Sequence, residues 1–378
     1  MKTTRFIVAI IVFATLVPSC SRDSGPARSA ISFDGSSREL ARTQIVPTLE
    51  TPIEKGKNAI WCASFECAWK ALQEDLAVEP VMLDGADATV ASLNDAPDLR
   101  PEIPEACLYT AAGWKPDGII DKIHADLKKQ FPGKQPPVFR GIADTSFVAY
   151  SYLEANVEFT LPYFQSQEPL TFTDSEGRKT GIESFGIREE DDSGYFKLRA
   201  QPRVLFCKGD MFPSELEFAV DLCADSAPSQ IVVARIEREE SLAAALARVE
   251  MESGDRQTLQ ALDPRDVLLV PDLFWQISHR FGELEDKYFL NEKLKGQWLG
   301  VAKQDILFRL DRCGARLQSE VDIYAPSVAT YYTLDRPFLI YMKQRGAKSP
   351  YFAMWVDNTK LLQVRNAEDS QKEPRGAD

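Results

Sequence analysis

Covalent catalysis by a hydroxyl needs a base within reach, and the chain carries two histidines, His124 and His279, far apart in sequence. Neither stands at the spacing from acidic residues or cysteines that marks a zinc site. The stretch GIESFG (181–186) resembles a nucleophile elbow only loosely, because Ser184 follows Gly181 by three residues where the motif has two. The acidic clusters REEDD (188–192) and EREE (237–240) read as solvated faces rather than paired carboxylates. There is no P-loop and no G-x-G-x-x-G, so no nucleotide seat, cofactor or metal is expected. Catalysis is the weaker expectation, and the chain is read as a non-enzyme.

A different pattern carries more information. Between residues 309 and 341 the chain reads RLDRCGARLQSEVDIYAPSVATYYTLDRPFLIY. From Ala315 the side chains alternate. Ala315, Leu317, Ser319, Val321 and Ile323 are small or apolar, and Arg316, Gln318, Glu320, Asp322 and Tyr324 are mostly polar. Period two belongs to a strand with one buried face. Yet this strand pattern runs into Ala325–Thr330, a soft segment with the composition of an exposed loop.

The elements around it divide by periodicity. Phe65, Ala68, Trp69 and Leu72 share one helical face, as do Ile119, Ile120, Ile123 and Leu127. ESLAAALARVE (240–250) is a run of strong helix formers. Residues 77–113 are broken by Pro, Asp and Gly and predict short elements. Strands are predicted in TSFVAYSYLEANVEF, YFKLRAQPRVLFC, LEFAVDLCA and SQIVVARIE, and as a pair interrupted at Pro271 in DVLLVPDLFWQI. Helices early and strands late make an α+β chain rather than an alternating βαβ one.

The chain opens with Lys2 and Arg5, then a mostly apolar run from Phe6 to Val17, then VPSC. A charged start with an apolar core too short to span a bilayer predicts an export signal over residues 1–19. VPSC looks like a bacterial lipobox, which makes Cys20 the expected lipidation site. Residues 20–57, rich in Ser, Arg, Gly and Pro, are expected to be a tether and 366–378 a disordered tail. The expected location is outside the cytoplasm, as a cell-envelope lipoprotein or a secreted protein, held to the membrane through lipid if Cys20 is modified. A net charge of −13 without a basic stripe excludes nucleic acid as a natural partner. An exported address permits disulfides among Cys62, Cys67, Cys107, Cys207, Cys223 and Cys313, and the spacing does not choose a pairing.

The order of segments resembles one family. LDRPFLIYMKQRGAKSPYFAMWVDN (334–358) is similar to the C-terminal end of the serpins, the serine protease inhibitors, where a D-R/H-P-F-L strand and a following strand close the molecule. NAIWCASF looks like the family's N-x-F-x-S-P-x-S helix start, the stretch LEFAVDLC to EESLAAAL like its central strands and following helix, and VLLVPDLFWQI like its L-P-K-F strand. The matches are collinear over about residues 58–358. They imply a serpin-like domain over 58–365, with helices around a large, mainly antiparallel sheet, smaller sheets and an exposed reactive loop.

The resemblance also implies a mechanism. A protease cuts the loop as substrate, and the cut loop inserts into the large sheet and drags the bound enzyme with it. Gly314 resembles the hinge glycine, with Ala315, Leu317, Ser319 and Val321 as the hinge residues that would enter the sheet. The scissile region is expected at Pro326, Ser327, Val328, Ala329 and Thr330, whose small and apolar side chains suit an elastase-like serine protease as the partner of a monomeric inhibitor. The family's Lys–Glu pair at the head of the sheet corresponds to Asp272 and Arg312, a charge-reversed pair expected to form a gate. Cys62-Ala63 replaces the family's Ser-Pro, and Gln304 its histidine. The bulky Arg316, Leu317, Gln318 and Glu320 would slow insertion. A serpin-fold binding or scaffold protein that does not insert is the alternative.

Overall fold

The computed structural model describes residues 7–16, 31–139, 141–188, 196–209, 216–254, 260–313 and 330–365. In chain order its strands are β1 (Ile7–Leu16), β2 (Phe33–Ser36), β3 (Thr43–Ile45), β4 (Asn58–Cys62), β5 (Leu108–Trp114), β6 (Phe147–Ala155), β7 (Phe164–Gln165), β8 (Leu170–Thr173), β9 (Lys179–Ile182) and β10 (Ser184–Ile187). They continue with β11 (Arg203–Lys208), β12 (Glu217–Asp221), β13 (Ser229–Arg235), β14 (Val267–Pro271), β15 (Leu273–Arg280), β16 (Lys287–Tyr288), β17 (Trp298–Leu310), β18 (Tyr331–Thr333), β19 (Phe338–Gln344) and β20 (Phe352–Val356). The α-helices are α1 (Ser64–Leu72), α2 (Asp87–Asp95), α3 (Ile119–Gln130), α4 (Phe196–Arg199) and α5 (Leu242–Ser253).

Two large sheets face each other. The first runs β2-β15-β17-β1-β6-β5, with β16 also on β17; the second runs β11-β12-β13-β19-β20-β4-β3. A separate small sheet runs β18-β14-β10-β7. Strands β4, β13 and β20 are buried along their whole length, which is why their sequences are continuous apolar runs rather than alternating ones. Strand β17 alternates instead. Ala302, Gln304, Ile306, Phe308 and Leu310 point into the core, and Val301, Lys303, Leu307 and Arg309 lie on the less buried face.

Aromatic rings join the two sheets. Phe308 of β17 stacks on Phe352 of β20 with centroids 4.6 Å apart, and Trp275 of β15 lies 5.6 Å from Phe308. Helix α1 sits in this core with the expected face of Phe65, Ala68, Trp69 and Leu72 fully buried. Helix α3 covers the opposite face of the first sheet, where Ile123 and Leu127 pack with Tyr150 and Tyr152 of β6. Alternate residues of β6 therefore serve two cores, Phe147, Ala149 and Leu153 facing inward and Val148, Tyr150 and Tyr152 facing α3.

Two expectations change, and one apolar run takes a place in the first sheet. The tether expected over 20–57 is folded from residue 31. There β2 pairs parallel with β15, β3 pairs parallel with β4, and Arg42 reaches the buried Asp174 at 3.2 Å. Strands this short carry no readable periodicity, and the Pro and Gly around them look like linker chemistry. The strand expected from Tyr195 to Cys207 is two elements, because Phe196–Arg199 is helical and only Arg203–Lys208 is extended. The apolar run of the expected export signal forms β1, a central strand parallel to both neighbours. The first sheet is accordingly mixed.

Phe308→Ala would empty a ring-sized volume at the joint between the sheets. The expected cost is about 3–5 kcal/mol, read as a lower urea midpoint with the unfolding slope unchanged.

Candidate functional site

Two of the residues singled out from the sequence, Arg312 and Thr330, lie where β17 ends and where β18 begins. Strand β17 ends at Leu310, and β18 begins at Tyr331, parallel to β14 in the small sheet. Both ends of the intervening segment are pinned. On one side Arg312 and Tyr163 exchange two hydrogen bonds: the Tyr163 amide donates to the Arg312 carbonyl at 2.8 Å, and Arg312 Nε donates to the Tyr163 carbonyl at 3.0 Å. On the other, the Thr330 amide donates to Asp266 Oδ1 at 2.8 Å and the Thr330 carbonyl accepts from Val267 at 2.9 Å. Tyr332 follows, buried edge-on against Phe218.

Gly314, Ala315, Leu317, Ser319, Val321, Pro326, Ser327, Val328 and Ala329 lie outside the described residues, as does Cys20. Thr330 is the one expected scissile-region residue that is described.

The expected gate pair is not formed. Asp272, between β14 and β15, is 1% exposed. Its Oδ2 accepts from Gln165 Nε2 at 2.6 Å and its Oδ1 has no hydrogen-bond partner. Arg312 is turned to the Tyr163 carbonyl, and the arginine that pairs with a carboxylate here is Arg309, with Asp311. A carboxyl this buried and met by a neutral amide is held well above the ordinary carboxylate range, so near neutral pH it keeps its proton in part and draws less on an arginine than a surface carboxylate would. Burial pushes Asp272 up to about 7, against the pull of the Gln165 bond, and the charges of Asp311 and Glu183 push the same way while Arg309 opposes them.

Below this point, in the middle of β17, Gln304 is fully buried. Its Nε2 donates to the Cys62 carbonyl and to Ser64 Oγ, both at 3.1 Å, and Cys62 Sγ lies 3.4 Å from Ser64 Oγ. The position read as a replaced histidine thus latches β17 to the start of α1. Next to it Trp61 Nε1 donates to Glu66 Oε1 at 2.8 Å, and burial raises Glu66 to about 8. Nothing in the sequence around Glu66 marks it as buried.

The candidate catalytic groups are dispersed. Ser184 lies in strand β10, buried, with its hydroxyl unbonded. His124 bonds the Pro137 carbonyl. His279 Nδ1 lies 2.7 Å from Ser37 Oγ and fastens the segment after β2 to β15; burial and Arg38 depress it to about 4, which leaves it a weak base. Among the described residues no group of three His, Cys, Asp or Glu gathers to hold a metal. Cys62, Cys67, Cys107, Cys207 and Cys223 are free thiols, and burial raises the pKa of Cys62 to about 11.

No protein-family model matches the chain, and no curated protein matches it in sequence. Solved structures similar to it include native protease nexin-1 with heparin, at 10% identity over 80% of this chain and 92% of that one, with a TM-score of 0.47. The complex of thyroxine-binding globulin with thyroxine is 12% identical over 82% and 94%, also at 0.47. The thermophilic serpin tengpin in its native state is 12% identical over 88% and 100%, at 0.45.

The raised Asp272 gives a signed pH dependence. The folded chain keeps a proton that the unfolded chain releases near pH 4, so the contribution is complete below that pH and is lost as pH rises through about 7. Asp272→Asn keeps the acceptor for Gln165 and cannot ionise. It is expected to be no more stable than the parent at pH 4.5 and more stable at pH 8 by about 1–4 kcal/mol, measured by urea unfolding at both pH values.

Proposed function

We propose that the chain is a serpin-like suicide-substrate inhibitor of an elastase-like serine protease, exported and tethered through Cys20. The observation that carries this reading is the arrangement at β17. The pattern-bearing segment from Gly314 leaves the C-terminal end of a central strand, is pinned at both ends, and rejoins a different sheet. A segment so held presents a cleavable tip. Once cut near Val328, within Pro326–Thr330, its N-terminal arm would fold back beside β17, where alternate residues from Ala315 to Ile323 would supply a buried row.

A second reading, a serpin-fold binding or scaffold protein that does not insert, is favoured by a specific observation. The hinge residues Arg316, Leu317, Gln318 and Glu320 are bulky, and large side chains slow entry into a packed sheet.

Incubation with elastase is expected to give an SDS-stable complex, with cleavage inside Pro326–Thr330. Trypsin should leave residues 322–334 intact, since no Lys or Arg stands between Arg316 and Arg336 and its pocket needs a cation. Clean cleavage by elastase without a complex selects the second reading; a tryptic cut within that span overturns the assignment of the tip. A verified cut inside 324–332 is also expected to raise the melting temperature of the inserting form, because a strand's worth of sheet contacts is gained. An unchanged melting curve leaves the non-inserting protein.

A further inference from the structure

After α1 the chain makes one turn of π-helix, Gln73–Ala77, closed by the Val78 amide donating to the Gln73 carbonyl at 2.6 Å. Val78 then stands at φ +62, in the left-handed region that a β-branched side chain resists. Among the described residues one other non-glycine residue has a positive φ, Asp286 at +61. The two precede segments that pair with each other. The Leu290 amide donates to the Met82 carbonyl at 2.9 Å, the Asp84 amide donates to the Tyr288 carbonyl at 3.0 Å, and Leu83 stands opposite Phe289.

Alternation gives this pair two faces. Leu83 and Phe289 are buried, and Phe289 lies edge-on to Phe147 of β6 at 5.6 Å. Met82 and Leu290, 44% and 60% exposed, are opposite each other on the outward face, with Tyr288, 48% exposed, one step along. Val78 is 57% exposed. Four of the nine large apolar side chains exposed among the described residues therefore lie on or just before these two segments.

Folding alone does not explain the arrangement. An exposed valine in the left-handed region gains neither burial nor conformational ease, and such strain and π-turns gather at functional sites. The backbone is also held firmly. Asn94 Oδ1 accepts from Trp69 Nε1 at 2.9 Å and from Gln73 Nε2 at 2.8 Å, while its Nδ2 donates to the Val81 carbonyl at 2.8 Å. Asn291, fully buried, accepts from the Met82 amide at 2.8 Å and donates to the Pro80 carbonyl at 2.9 Å. Two asparagines thus fix the segments that carry an apolar surface, and a clustered surface of this kind marks an interaction site.

Charge selects the occupant. Asp75, Glu79, Asp84, Asp286 and Glu292 are exposed beside these side chains. Against them stand Lys287, half-buried, with Lys293 and Lys295, the last of which reaches Glu292 at 3.4 Å. An acidic rim on a chain of net charge −13 repels an anionic bilayer, and it repels a second copy presenting the same rim. It attracts a segment whose apolar side chains are flanked by Lys or Arg.

We propose that Val78, Met82, Tyr288 and Leu290 form a docking surface for a protein segment that carries large apolar side chains between basic ones. The surface stands whether or not the chain inhibits a protease.

The test uses the full-length chain and a fluorescein-labelled amphipathic peptide of leucine and lysine, followed by fluorescence anisotropy. This peptide is expected to bind at least ~10-fold more tightly than its leucine and glutamate counterpart; equal binding of the two overturns the choice of a basic partner. Met82→Ser/Leu290→Ser changes two exposed side chains and no charge, and it should weaken binding of the lysine peptide at least ~10-fold. Equal binding by parent and variant shows that charge alone is read and overturns the proposal. Hydrogen exchange in the complex should show new protection over 78–84 and 286–291, and protection confined to other segments overturns the site.

Val78→Gly separates display from folding. Glycine accepts the left-handed conformation, so this variant should unfold at a higher urea concentration than the parent while binding the lysine peptide less well. Binding as tight as the parent's overturns the part given to Val78. Vesicle flotation and sedimentation equilibrium should each give the same result for the parent and the double serine variant. Vesicle binding lost in the variant makes the occupant a bilayer, and a dimer lost in it makes the occupant a second copy; either overturns the proposal.

Discussion

Two strands in the middle of a sheet cannot leave their facing backbone groups unpaired, and that requirement organises this molecule. β17 and β6 are the two central strands of the first sheet, each flanked on its outer side by an antiparallel partner, β15 and β5. Whatever lies between them must be an extended backbone, because nothing else supplies a full ladder of donors and acceptors. In the structure that backbone comes from Ile7–Leu16. Phe308 and Trp275 fasten β17 and β15 to Phe352, and Gln304 fastens β17 to the start of α1.

The chemistry at the head of β17 follows from burial. Asp272 and Glu66 are carboxyls placed where water does not reach, each met by a neutral donor, Gln165 or Trp61. Each is held well above the ordinary carboxylate range. The ion pairs of the region are Arg309–Asp311 and Lys303–Asp305, whose cations lie on the other row of β17. The inner row of that strand is otherwise apolar, with Gln304 as its polar member.

Long periodic elements were legible in the sequence. The faces of α1 and α3, the helix α5, and the strand pair broken at Pro271 are where residue spacing places them, since each buries enough apolar surface to impose its period. Three kinds of feature were not legible. Strands β2 and β3 are too short to show a period and are defined by their partners, β15 and β4. Strand β1 is uniformly apolar, so its composition fits an export signal and a buried strand equally. The gate residues are paired by three-dimensional reach: Asp272 and Arg312 have complementary charge, yet Gln165 and the Tyr163 carbonyl are the partners each meets. Charge complementarity along a sequence carries no information about which neutral groups stand nearer.

Helix α3 bears on β6 from the side away from the main core, with Phe131 edge-on to Tyr152 at 4.7 Å and Lys134 above the same ring at 4.5 Å. These contacts belong to the smaller core between α3 and β6, so a change there would loosen the helix from the sheet while the packing between the two large sheets stays in place.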